Sequence, residues 1–353
     1  MKRLAGRWLW LIPAALCAIC LWKGAVYAER LGGTGNYTQL VLNTQMSFNQ
    51  ARELLQHGED EKEPISMVFW RQEEDGSVHT QELGRSAEAD VLTAAGQIEI
   101  LYGENSVLAE GDTEGCLLSS DVAQELFGNV NVLENEVFID GEKYRIRGVL
   151  KSVEDLAVVR GKAGSQANTV QDQEDMTHGF DRVKVRNQGA KSTKEMKKLL
   201  ETRCGVEGTV LDLPLLGRIS RIAVWIPPLF MCLHFLVWLF GNARNTERLR
   251  ERFFWRGFAA VFTVLILYLA ASQISIPKDI VPSRWSDFEF FSNLGDEISR
   301  AIFFLMDSQK TAPEVMYFHA FFQSLVFVGI SIGMYLLTFL CRIVFRRNDY
   351  DRI

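Results

Sequence analysis

Patterns that carry catalysis are missing from this 353-residue chain. Its five histidines, His57, His79, His178, His234 and His319, are scattered without metal-ligand spacing, and there is no Gly-x-Ser-x-Gly or His-Glu-x-x-His run. A phosphate-cradling loop is absent as well. The nearest candidate, Ala190-Lys191-Ser192, has Ala190 and Val185 where the two glycines that let backbone amides wrap a phosphate belong. The acidic run Gly58-Glu59-Asp60-Glu61-Lys62-Glu63 lacks the spaced oxygen ligands of a calcium loop and reads as a solvated turn. No residue is therefore assigned to catalysis, a cofactor or a metal, and the chain is read as not an enzyme. A net charge of −6 argues against nucleic-acid binding.

Charge is also nearly missing from four long stretches, residues 8–28, where Lys23 is the one charged side chain, 222–240, 257–276 and 317–341. At ~1.5 Å rise per residue each can span ~30 Å of hydrocarbon as a helix. Basic residues flank them. Lys2, Arg3 and Arg7 precede the first; Arg244, Arg248, Arg250, Arg252 and Arg256 lie between the second and third; Arg342, Arg346 and Arg347 follow the fourth. Positive loops are retained on the cytoplasmic side, so both termini are expected inside, in the cell membrane and in contact with its lipid. The expected organisation is a cytoplasmic tip and first span over 1–28, a large outer domain over 29–221, and a second span over 222–240. A short cytoplasmic loop, 241–256, then leads to a third span, 257–276. An outer segment, 277–316, a fourth span, 317–341, and a cytoplasmic tail, 342–353, complete it. Val26-Tyr27-Ala28 also fits a signal cleavage site. Trp8, Trp10 and Trp22 near the ends of the run favour a retained anchor.

Of the six cysteines only Cys116 and Cys204 fall in the outer domain, the side where a disulfide persists. They are either a bonded pair or two thiols.

Within the outer domain, Met46 to Leu55 places Phe48, Ala51 and Leu55 on one helical face. Segments 66–72, 78–83 and 97–102 read as strands separated by Asp75-Gly76 and Gly96. Ser119 or Ser120 is placed to cap a helix from Asp121 to Phe127, which Gly128 ends. Glu136 to Asp140 and Glu142 to Leu150 alternate around Asp140-Gly141, a strong two-residue hairpin signal. Arg182 to Arg186 alternates as a strand, Ser192-Thr193-Lys194-Glu195 is a capping box that starts a helix to about Arg203, and 161–178 is polar loop. The fold class is thus a membrane protein, four transmembrane α-helices plus an α+β extracytoplasmic domain.

The run Cys116-Leu-Leu-Ser-Ser-Asp-Val-Ala-Gln-Glu-Leu-Phe-Gly128, followed by Asn131-Val132 and then Val137-Phe-Ile-Asp-Gly-Glu-Lys-Tyr-Arg-Ile-Arg-Gly-Val-Leu150, resembles the signature of the MacB-like periplasmic core domain family. That resemblance covers about 35 residues, and the layout of spans around one outer domain extends it. It implies a permease-like subunit of an ABC-type transport or mechanotransmission system, of the FtsX-like kind, with energy from a separate cytoplasmic ATPase and a tendency to dimerise. Two departures stand out. Family members often have Gly where this chain has Glu134, so that turn must be built differently. The 241–256 loop is also shorter than the ATPase-docking segment of many relatives. Arg248, Arg250 and Arg252 are the candidate contacts to such a partner. A non-transporting, membrane-anchored binding or sensing protein is the alternative, which the short loop favours.

Three features of the spans complete the reading. His234 is the ionisable side chain deep in a span, either functional or packed as neutral imidazole beside Phe230 and Trp238. Pro227-Pro228 should loosen or kink the same helix. Gly329 and Gly333 form a Gly-x-x-x-Gly face for packing on another span or on a second copy of the chain. In the outer segment, Leu294, Ile298, Ala301, Ile302 and Leu305 share a face that suits a helix in the membrane interface.

Overall fold

A computed structural model describes residues 11–60, 64–103, 108–151, 153–162, 179–187, 192–245, 249–273 and 288–350. The chain divides into two units. One comprises Met1–Gly32, Pro214–Ser286 and Phe318–Ile353, and the other Gly33–Leu213 with Asp287–Tyr317.

The first unit is helical. Its helices are α1 (Leu11–Arg30), α6 (Leu213–Asn245), α7 (Leu249–Gln273) and the greater part of α9 (Ala312–Tyr350). Among the described residues three stretches are long and apolar enough to cross a membrane, Ile12–Asn36, Leu213–Asn242 and Ala312–Leu340, and Phe253–Ile266 is a shorter apolar helix. The second helix begins nine residues before the expected span because Leu213, Leu216 and Ala223 continue its buried face. It runs through Pro227 and Pro228 without a break. Helices α1 and α9 pair closely. Ser324 donates to the Gly24 carbonyl at 3.1 Å, Cys17 meets Ser331 at 3.3 Å, and Tyr27 stacks on Phe327.

The second unit is α+β. Its strands are β1 (Tyr37–Met46), β2 (Met67–Thr80), β3 (Arg85–Gly96), β4 (Gly115–Ser119), β5 (Glu136–Ile139), β6 (Glu142–Leu150), β7 (Leu156–Arg160), β8 (Phe180–Arg186) and β9 (Gly208–Val210). Its helices are α2 (Phe48–Asp60), α3 (Glu99–Tyr102), α4 (Ser120–Phe127), α5 (Thr193–Cys204) and α8 (Phe288–Asp307). The strand order is β3-β7-β4-β6-β5-β2-β8-β1-β9, and β2 also pairs with β3. Six strands therefore close into a ring, and β8, β1 and β9 extend from the first half of β2.

Strand periodicity sorts side chains into separate cores. From β3, Ala87, Ala89 and Val91 join one cluster with Val122 and Leu126 of α4, while Leu92 and Ala94 turn to a second around Trp70. From β8, Val183 and Val185 enter a third with Ala51 of α2 and Leu200 of α5.

Several sequence expectations meet the structure directly. Asp140 and Gly141 both take positive φ, 49° and 83°, as a type I′ hairpin requires. Helix α4 ends at Gly128 in the left-handed conformation. Ser192 and Glu195 form the complete capping box of α5. Asp75-Gly76 is not a turn, however. The strand passes through it as a bulge, with Asp75 at φ 57° and a register shift between Glu73 and Gly76. A Cβ at Gly76 would lie 2.3 Å from the Val91 side chain. Residues 97–102 are not extended: Glu99–Tyr102 is a single helical turn, and Ile98, Ile100 and Leu101 all reach the second core from it and its N-cap. Of the polar loop expected over 161–178, residues 163–178 lie outside those described.

Candidate functional site: the root of the last helix

Strand β8 places Arg182 and Lys184 on the face opposite Val183 and Val185. That polar face is not solvated. Arg182 is 5% exposed and Lys184 2%. What covers them is the start of α9, which follows α8 after four residues.

Thr311-Ala312-Pro313-Glu314 is a capping sequence. The Thr311 N–H donates to Glu314 Oε2 at 2.9 Å, and the Glu314 N–H to the Thr311 carbonyl at 2.8 Å. Glu314 is fully buried, which no cap alone requires. Its Oε1 accepts from Gln39 Nε2 at 2.5 Å and from Arg182 Nε at 3.3 Å. Arg182 donates further to the Gln309 carbonyl at 2.9 Å and to Asp181 at 2.8 Å. From β2, Trp70 Nε1 donates to Thr311 Oγ1 at 3.3 Å, and Gln72 Oε1 accepts from the Ala312 N–H at 2.6 Å. One turn later Tyr317 accepts from Lys184 Nζ at 3.0 Å, and this ammonium also lies 4.8 Å from the Tyr37 ring. Burial lowers the Lys184 pKa to about 8, with Tyr37 and Glu314 opposing the shift.

Three strands thus grip one helical turn, β1 through Gln39, β2 through Trp70 and Gln72, β8 through Arg182 and Lys184. The cross-strand register puts Gln39 opposite Lys184 and Trp70 opposite Arg182, so the grip spans adjacent rungs of the sheet. Ala312 and Met316 add apolar contact with the second core. Alternation along β8 gave the polar face but not its burial. The partner was missed from the sequence; the one signal that could have pointed to it is the Thr-x-x-Glu motif immediately before the last apolar run.

The residues singled out from sequence fare unequally. Cys116 and Cys204 are not bridged to each other. Cys116 belongs to β4 inside the first core, Cys204 ends α5 beside the third, and burial pushes the Cys116 thiol up to about 12. Gly329 and Gly333 are exposed with nothing within 4 Å of an added Cβ, so among the described residues no neighbouring helix uses that face. Close approach is made by Gly24 instead, whose added Cβ would lie 3.3 Å from Val328 and 3.4 Å from the Ser324 carbonyl. His234 packs edge-on against Phe339 at 5.0 Å and Tyr335 at 6.3 Å, rather than on Phe230 and Trp238 one turn away. Arg250 is exposed on α7, while Arg248 and the side chain of Arg252 lie outside the described residues. On α8, Leu305 is buried, whereas Ile298 is 37% and Phe303 75% exposed.

The turn at Glu134 is built as a glycine would build it. Glu134 adopts φ 67°, its N–H donates to the Ile146 carbonyl at 2.8 Å, and its carboxylate takes Arg147 Nη1 at 2.6 and 2.8 Å. Glu134 thus carries the positive φ that favours glycine, and its exposed pair with Arg147 offsets that cost only in part.

The chain is similar to the extracytoplasmic domains of ABC-type transporters. One such structure is the extracellular domain of the noncanonic ABC-type transporter YknZ from Gram-positive bacteria, 15% identical, covering 50% of this chain and 98% of that one at a TM-score of 0.36. Another is the periplasmic region of MacB from Actinobacillus actinomycetemcomitans, 15% identical, covering 53% and 92% at a TM-score of 0.39. No family model and no curated protein sequence matches the chain.

Proposed function

We propose that the protein is a permease-like membrane subunit of an ABC-type transport or mechanotransmission system, in which a separate cytoplasmic ATPase drives motion that the last span delivers to the outer domain. The observation that carries this reading is the buried grip on Thr311–Tyr317. Helix α9 starts among β1, β2 and β8 and continues without a break into its apolar stretch. A stiff helix fixed by buried, directional hydrogen bonds transmits rotation or piston movement, where a flexible linker would absorb it.

In this reading the chain has four spans, with α6 as one crossing and α7 as the return, and residues 33–213 and 287–317, which group in one compact unit, share the outer side. The arginines at 244–256 then fall on the cytoplasmic side with both termini.

Purification of the tagged full-length chain in mild detergent tests the assignment. An ATPase is expected to accompany it and to be lost when Arg248, Arg250 and Arg252 are replaced together by glutamate. A stable complex without any ATPase would instead favour a membrane-anchored binding or sensing protein, the reading suited to so short a cytoplasmic loop.

A further inference from the structure

Helix α8 carries more apolar surface than the α+β unit covers. At roughly 100° of turn per residue its side chains fall into three sectors. One faces the unit: Leu305 is buried, Ala301 is half-buried, and Glu297 pairs with Lys194 of α5 at 2.8 Å. A second sector is polar and exposed, with Asp296, Arg300 and Asp307. The third holds Ile298, Ile302 and Met306, spaced four residues apart on one line, with Phe303 beside Met306. Phe303 is 75% exposed and Met306 63%; Ile298 is exposed as well, and Ile302 is half-buried.

A helix that packs on protein along one side and meets water along the other needs only two sectors, so a third, apolar one calls for a third medium. A second copy of the chain fits poorly. From Ile298 to Met306 the strip is ~12 Å long and about one helix wide, on the order of 120 Å², against ~800 Å² on each partner of a stable interface. Lipid sets no such threshold here, because the chain is already tethered to it. Four residues separate α8 from α9, whose stretch Ala312–Leu340 is long and apolar enough to cross a membrane. Docking of the strip on that membrane is then intramolecular and needs little contact area of its own.

We propose that Ile298, Ile302, Phe303 and Met306 form a foot that docks on the lipid surface, with their side chains at the boundary of headgroups and acyl chains in the leaflet that α9 enters. The α+β unit is then held to the membrane twice, by the root of α9 and by α8. The inference rests on α9 being a span and does not depend on an ATPase.

Photocrosslinking of the full-length chain in phosphatidylcholine vesicles tests it, with p-benzoylphenylalanine placed at Ile298, Phe303, Met306, Arg300 or Val326, one site at a time. Val326, exposed on the apolar stretch of α9, reports the span itself. Irradiation should attach phosphatidylcholine at Phe303 and Met306 in yields comparable to Val326 and several-fold above Arg300. Phe303→Asp combined with Met306→Asp should remove the lipid adduct at Ile298 and leave the one at Val326 unchanged. Lipid at Val326 with no excess over Arg300 at Phe303 and Met306 would overturn the foot and leave the span standing. Adducts that join two copies of the chain through Phe303 or Met306 would overturn it in favour of a dimer contact. No lipid at Val326 would remove the span on which the foot and the proposed function both rest.

Discussion

Truncating Glu314 to alanine is the sharpest test of the grip at the root of α9. The Glu314 side chain is 1% exposed and that of Arg182 6%. Removing the carboxylate strands the Gln39 amide, the Thr311 N–H and one face of the guanidinium where water does not reach. Breaking such a buried pair costs about 3–5 kcal/mol. Arg182 keeps Asp181 and the Gln309 carbonyl, which places the expected loss near the lower end, about 3 kcal/mol. For a unit of this size that corresponds to a fall in Tm of roughly 6–12 °C. Thermal melting of the purified full chain reads the total, and hydrogen exchange locates it, with protection lost first over 309–317 and β8. Replacing both charges, Glu314→Leu with Arg182→Met, should recover most of the loss, since apolar pairs substitute well for buried ion pairs. A Glu314→Ala chain that melted within about 2 °C of the original, with exchange over 309–317 unchanged, would refute the claim that this contact fixes the helix.

Lys184 sets a pH dependence with a defined sign. Its pKa is depressed from 10.5 to about 8, so between those values the unfolded chain binds more protons than the folded one, and stability rises as pH rises. Melting temperature should climb from pH 8 to 9.5, and Lys184→Met should flatten the slope; an equal slope in both chains would exclude Lys184 as its source. At Glu134, glycine should be tolerated and alanine should not, because glycine relieves the positive φ while alanine keeps the strain and loses Arg147. High salt should narrow the gap between wild type and Glu134→Ala in thermal melts. Gly24→Leu should disrupt the pairing of α1 with α9 and lower the detergent-solubilised melting temperature, whereas Gly329→Leu should leave it unchanged. Size analysis of Gly329→Leu then reports whether that open face serves a second copy of the chain.

Local signals in the sequence proved readable wherever a single residue type dictates geometry. Asp140-Gly141 made its hairpin, Gly128 ended its helix, and Ser192 with Glu195 closed its capping box. Tertiary context decided the rest. Asp75-Gly76 carries the same turn chemistry as Asp140-Gly141, yet Asp140 Oδ1 accepts from the Ser77 N–H at 2.9 Å and β3 pairs past it, which turns a candidate hairpin into a bulge. The stretch 97–102 has strand-like composition but is too short to show a period, and burial of Ile100 and Leu101 favours one helical turn. The grip was hidden for a different reason. Glu314 and Arg182 are 132 residues apart, and alternation in β8 looks identical whether its polar face meets water or a helix. The helical unit was legible from hydropathy, but not the use of Gly24 over Gly329, because spacing shows which faces are small and not which one finds a neighbour.

The closure between β2 and β3 has one more outcome. A sheet that bends back on itself offers few bare backbone donors and acceptors along its margin, and at the open end of this one stands β9, only three residues long. Stray strands from other polypeptides have little to zip onto, so this domain is shielded against edge-to-edge aggregation without needing a disulfide between Cys116 and Cys204.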